Sequence, residues 1–182
     1  MIPRYSRQEM TAIWAPENKF QIWMDIEIAA CEAMEELGTI PNGVAQAVKD
    51  RGRFDVARID EIEREVKHDV IAFLTNLAEH VGEESRYVHQ GLTSSDIVDT
   101  AFAVQLRQSG LLLLQGVEAV MAAIKKQVEA HRHTVCIGRS HGIHGEPTTF
   151  GMKLAGHYAA FKRCHARLQA AIEEISVCSL SG

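Results

Sequence analysis

The sequence predicts an all-α fold, and three observations carry that expectation. Apolar residues recur at threes and fours along most of the chain, only 4 prolines interrupt its 182 residues, and no Asn-Gly turn joins two alternating apolar-polar runs. With 46% hydrophobic and 24% charged residues, the chain can bury the core of one or two domains, which excludes disorder as its main state.

Taken in order, the elements follow from local chemistry. Ser6-Arg7-Gln8-Glu9 has the form of a capping box, hydroxyl and carboxylate satisfying backbone donors, and Met10, Ile13 and Trp14 follow at helical spacing. A short first helix is expected there. Pro16 suits the first turn of a second helix carrying Phe20, Trp23, Met24 and Met34, and Gly38 supplies its left-handed stop. Pro41 and Asn42 open a third, which Gly52 closes. Asp55 caps a fourth, in which Ile59, Ile62 and Val66 share a face until the polar triplet Lys67-His68-Asp69 breaks the pattern. A fifth helix then carries Val70, Phe73, Leu74, Leu77 and Val81. His68 and Asp69 are thereby placed at a helix N-terminus, where unpaired N–H groups favour anions.

A small N-terminal helical domain is expected over residues 1–93, and the first part of a long-helix bundle over 94–182. From about Ser94 to about His131 no proline intervenes, so a rod of roughly 55 Å is expected. Ile97, Ala101, Val104, Leu111, Leu114, Val117, Met121, Ile124 and Val128 give it a broad apolar face. A second long helix, from about Thr149 to about Val177, carries Leu154, Tyr158, Phe161, Leu168 and Ile172. Two such rods cannot cover each other. Burying both faces calls for further long helices, from partner subunits or from chain beyond these 182 residues, so an assembly, a truncation or both are expected.

Composition narrows the function classes. Acidic residues number 24 against 19 basic ones, a formal charge of −5, which leaves general binding to nucleic acid or anionic membrane without an electrostatic footing. No apolar run, the Leu111 to Leu114 stretch included, comes near the roughly 20 residues that cross a bilayer. Met1-Ile2-Pro3-Arg4 begins no signal peptide, and Cys31, Cys136, Cys164 and Cys178 form no C-x-x-C pair. A cytoplasmic protein with reduced thiols is expected.

Three polar clusters invite a chemical reading. Between the rods, residues 134–148 form a segment rich in glycine and polar groups, expected as a loop, in which His141 and His144 are able to serve as general acid or base and Glu146 to orient one of them. Ordinary surface hydrogen bonding is the plainer alternative. A metal site built from His131, His133, His141 and His144 is a rival, weakened by the absence of H-E-x-x-H spacing. Gly91-Leu92-Thr93-Ser94-Ser95-Asp96 supplies more hydroxyls than one N-cap needs, and the surplus suits a carboxylate or phosphate. Arg4-Tyr5 is either a basic-aromatic clamp on a phosphate or an N-terminal tail.

Together, Arg4-Tyr5-Ser6, Lys67-His68-Asp69-Val70, Gly91 to Asp96 and Gly138-Arg139-Ser140-His141-Gly142-Ile143-His144-Gly145-Glu146-Pro147-Thr148-Thr149-Phe150-Gly151 resemble the adenylosuccinate lyase family of the fumarase/aspartase superfamily. The resemblance runs over the whole chain. It departs at Ser140, where the family usually has Thr, and at Gly145, where Ala is common; Ser140 keeps the hydroxyl. The resemblance implies an anti β-elimination that releases fumarate from adenylosuccinate to leave AMP, and from the succinylated imidazole-carboxamide nucleotide of purine synthesis. It implies no cofactor and no metal. It assigns the general acid to His141 and the hold on nucleotide phosphate and ribose to Arg4, Tyr5, Lys67, His68 and Asp69, with His68 also assisting the acid. Thr93 and Ser94 are expected on a succinyl carboxylate.

The family's base is a serine on a downstream Gly-Ser-Ser-rich loop that these residues do not include, so the chain by itself is expected to be inactive. The same resemblance implies a homotetramer whose active sites draw on three subunits. The partner expected is thus a small-molecule nucleotide, with neither nucleic acid nor membrane. Two other readings stand beside this one: a non-catalytic helical assembly module, and a sister fumarate-releasing lyase such as one acting on argininosuccinate.

Overall fold

Helix starts and stops in the computed structural model, which describes residues 2–181, mostly fall where the local chemistry puts them. The described residues form seven α-helices and one two-stranded antiparallel sheet. The first helix, α1 (Gln8–Ile13), follows a 3-10 turn over Pro3–Tyr5. Here the capping-box expectation fails. Arg7 is the N-cap and makes no side-chain cap bond, because the Ser6 hydroxyl is spent on the preceding turn, donating to the Ile2 carbonyl at 2.9 Å. The second helix, α2 (Pro16–Glu36), does begin on Pro16, whose missing N–H costs nothing in a first turn, and Gly38 follows it at φ +70°.

Next come α3 (Val44–Arg51), capped by Gly43 in the left-handed region and closed by Gly52, and α4 (Val56–Val66). Asp55 caps α4 as the sequence indicates, accepting from the Arg58 N–H at 3.0 Å. Lys67 ends α4 with φ +56°, and His68 then caps α5 (Asp69–Val81). A 3-10 turn over Glu83–Tyr87 leads towards α6 (Ser94–Ala130), whose 37 residues make the expected rod.

The chain divides into two compact units. The N-terminal unit holds the described residues up to Leu106, joined by those from Ser176 onward. Its core is built around Phe20, Trp23 and Phe73, with Phe20 stacked on Phe73 at 5.7 Å and Trp23 set edge-on to both. Burying such rings contributes about 1.5–3 kcal/mol each by area alone. A second cluster gathers Ile40, Val44 and Ala45 around Cys31, whose thiol is pushed up to about 11, by burial first and then by the charges of Glu27 and Glu35. Downstream of α7, the Ser179 N–H donates to Thr100 Oγ1 at 3.0 Å and the Ser181 N–H to Asp96 Oδ1 at 2.7 Å, fastening that segment to the first turns of α6.

The second unit, residues 107–175, holds the rest of α6, strands β1 (Val135–Ser140) and β2 (Ile143–Thr149), and α7 (Phe150–Ile175). Its backbones approach closely at glycines. A Cβ on Gly110 would sit 2.6 Å from Ile172 Cγ1, and one on Gly151 would sit 2.8 Å from the carbonyl oxygens of Val128 and His131. Among the described residues, every buried hydrophobic side chain lies at or before Ala103. The second unit therefore has no apolar core of its own. No helix among the described residues is long and apolar enough to cross a membrane.

Candidate active site

In the N-terminal unit, Lys67, His68 and Asp69 lie at the start of α5 and Thr93 and Ser94 at the start of α6, while Arg4 and Tyr5 belong to the first 3-10 turn. His68 sits at the N-cap of α5, and its Nδ1 accepts a long hydrogen bond from the Ile71 N–H at 3.4 Å. A ring nitrogen that accepts carries no proton, so in the neutral ring Nε2 is the donor. Nε2 lies 3.4 Å from the Ser94 hydroxyl, the first residue of α6. One imidazole thus links the starts of α5 and α6. The same Nδ1 lies 3.5 Å from Asp69 Oδ1.

Thr93 takes the capping position before Ser94, and its N–H donates to Asp96 Oδ2 at 2.8 Å, the reciprocal half of a capping box. Asp96 is buried, and its other oxygen accepts from both the N–H and the hydroxyl of Ser181. The Ser94 hydroxyl is left facing His68 rather than closing a cap. Lys67, His68 and Asp69 are all exposed. Arg4 and Tyr5 meet each other, with the guanidinium 4.8 Å from the ring centroid, and Tyr5 is 73% exposed.

His141 belongs to the second unit, and the segment expected as a loop is a β-hairpin. Ser140 pairs with Ile143 across a two-residue turn, in which His141 and Gly142 have φ of +52° and +76°. Positive φ at both central positions matches a type I′ turn, and His tolerates the left-handed region better than most residues. The ring is carried at the exposed tip of a two-stranded ribbon. A register shift occurs between Ile137 and Arg139, where Gly138 lies so close to β2 that a Cβ there would be 2.9 Å from the Glu146 carbonyl. The sequence shows no strand signal because neither face of this hairpin is buried, leaving no apolar-polar alternation to see.

Among the described residues no three His, Cys, Asp or Glu side chains converge as metal ligands. Of the histidines weighed for a metal, His131 is engaged elsewhere, 3.2 Å from Thr134 Oγ1 and edge-on to Phe150.

Two residues escaped sequence reasoning. Glu27 is wholly buried in α2 and binds His89, its Oε1 lying 2.6 Å from His89 Nδ1 while Oε2 accepts the His89 N–H at 3.0 Å. A signal was available: Glu27 falls on the stripe set by Phe20, Trp23 and Cys31, where a charge needs a partner.

Two long helices, a hydroxyl-rich helix start in one unit and a histidine-bearing hairpin in the other mark a mainly helical protein of the lyase class. The family model described as "Lyase" matches residues 4–182, and the chain belongs to that family. Over all 182 residues it is 52% identical to the adenylosuccinate lyase of Synechocystis and 47% identical to that of Bacillus subtilis. The chain spans 42% of the length of each of these curated relatives. Among solved structures, the fumarate lyase of a Mesorhizobium species superimposes with a TM-score of 0.90 at 29% identity, over 98% of this chain and 44% of that one. The β-carboxy-cis,cis-muconate cycloisomerase of Acinetobacter calcoaceticus gives 0.86 at 27%, over 97% and 43%.

Proposed function

We propose that these residues are the N-terminal part of an adenylosuccinate lyase, a C–N lyase that releases fumarate from adenylosuccinate to leave AMP and from the succinylated imidazole-carboxamide nucleotide. In the elimination a base takes the proton from the carbon next to a carboxylate, the C–N bond breaks with its electron pair going to nitrogen, and an acid protonates that nitrogen. His141 is the acid. An imidazolium at the tip of the hairpin is suited to donate to an amine about to leave. Thr93 and Ser94 hold a succinyl carboxylate at the start of α6, while Arg4, Tyr5, Lys67, His68 and Asp69 hold the nucleotide. His68 also assists the acid. The base, a serine, belongs to chain beyond these residues.

The observation that supports the reading most is 52% identity to an adenylosuccinate lyase with no gap in coverage of this chain. The protein acts in the cytoplasm as a homotetramer, each active site drawing on more than one subunit. That would also cover the apolar faces which the second unit leaves open.

The test uses protein of the relatives' full length beginning with these 182 residues. Adenylosuccinate is expected to yield AMP and fumarate in equal amounts, and the 182-residue chain alone none. Turnover of argininosuccinate without adenylosuccinate, and no AMP binding by titration, would assign a sister lyase instead. Absence of any fumarate release together with stable oligomers would favour an assembly module.

A further inference from the structure

Glu27 is an acidic residue with no exposed surface, set in the core of the N-terminal unit. A buried carboxylate persists only when its oxygens are bonded, and here one residue satisfies both. His89 gives Glu27 its backbone N–H at 3.0 Å and its ring nitrogen at 2.6 Å. The backbone N–H and the ring of His89 thus face the two oxygens of one carboxyl group.

His89 is held in the left-handed region at φ +65°, and Gly91, two residues on, takes φ +69°. A non-glycine residue keeps such a conformation when its surroundings over-determine it. The backbone between these two reversals leads directly to Thr93 and Ser94. On the far side of the turn a second buried carboxylate, Asp96, holds the Thr93 N–H at 2.8 Å. The turn is therefore gripped from inside the core at one end and from α6 at the other.

We infer that Glu27 is a positioning residue: acting through His89, it sets the turn over residues 89–93 that delivers the Thr93 and Ser94 hydroxyls to substrate. The kinetic part of this inference rests on the lyase reading; the structural part does not. Glu27→Gln keeps the shape but offers one acceptor where two are needed, so the grip on His89 is halved.

Hydrogen exchange of the 182-residue chain reads the structural part. Glu27→Gln is expected to speed amide exchange over residues 88–94 by roughly 10-fold while α5 is unchanged. Unaltered exchange over 88–94, or acceleration of α5 by the same factor, would overturn the proposal. In full-length protein the same variant is expected to raise KM for adenylosuccinate about 10-fold with a smaller change in kcat. A change in melting temperature with both constants intact would make Glu27 merely structural. If the unaltered full-length protein shows no turnover, the lyase reading falls and the exchange result still decides the role of Glu27. Should Glu27→Gln fail to fold, the nitrogen NMR spectrum of His89 in the unaltered chain decides: a protonated Nδ1 supports the inference and a bare Nδ1 overturns it.

Discussion

His141 owes its chemical promise to two residue-level facts: an imidazole able to give or take a proton, and a backbone at φ +52° that places it at a hairpin tip. In full-length protein, His141→Gln is expected to lower kcat by ~10² or more, the usual scale for losing a general acid. Near-normal turnover would remove His141 from that role. The contrast with His68 is instructive. His68 was legible as a helix-start residue because the polar triplet breaks a clear apolar period, and the structure adds its approach to Ser94. Nothing in one sequence pairs residues 68 and 94, since their separation is closed by packing of α5 and α6, which periodicity does not encode. His89 was missed for the same reason, its partner Glu27 lying 62 positions away.

At the scale of elements, caps and turns decide how well each helix is anchored. Asp55 satisfies an orphan N–H of α4, so Asp55→Ala is expected to destabilise the N-terminal unit by about 1 kcal/mol. A urea melt read by circular dichroism would measure it. The seam of α4 and α5 is fastened by Arg58, which reaches Glu79 at 2.8 Å, while Asn76 donates to the same carboxylate. These bonds, Arg58's first and Asn76's next, hold the Glu79 carboxyl below its ordinary value of 4.5. A group whose folded pKa is depressed contributes stability in full above the unfolded pKa, and that contribution is lost as pH falls through the folded value. The urea midpoint is therefore expected to fall as the pH drops below 4.5, and to fall less in Glu79→Gln. An equal decline in both proteins would assign the acid sensitivity elsewhere.

Elements marked by helical periodicity and by capping residues were readable, and the hairpin was hidden. Pro16, Gly38, Gly52 and Asp55 mark real helix limits because each answers a backbone need that sequence alone states. The hairpin answers no such need. Its strands bury neither face, and its turn is His-Gly rather than Asn-Gly.

For the molecule as a whole, the decisive feature is the lack of a buried apolar side chain in the second unit among the described residues. Leu113 is 54% and Met152 68% exposed there. Surface of this kind is rarely left open on a folded chain. Sedimentation of the full-length protein is expected to show a tetramer, and Leu113→Glu to shift it towards smaller species. A monomer in the unaltered protein would contradict the shared-site arrangement.

By itself the sequence determined the helical class, most helix limits and the polar clusters, because periodicity, proline, glycine and capping residues act within a few positions of one another. Tertiary structure alone decided that His68 reaches Ser94, that Glu27 grips His89, that Asp96 fastens the segment after α7, and that the ring of His141 rides on a ribbon. Each of these joins positions distant in sequence or follows from an exposed backbone pairing, and neither leaves a local pattern of apolar side chains to read.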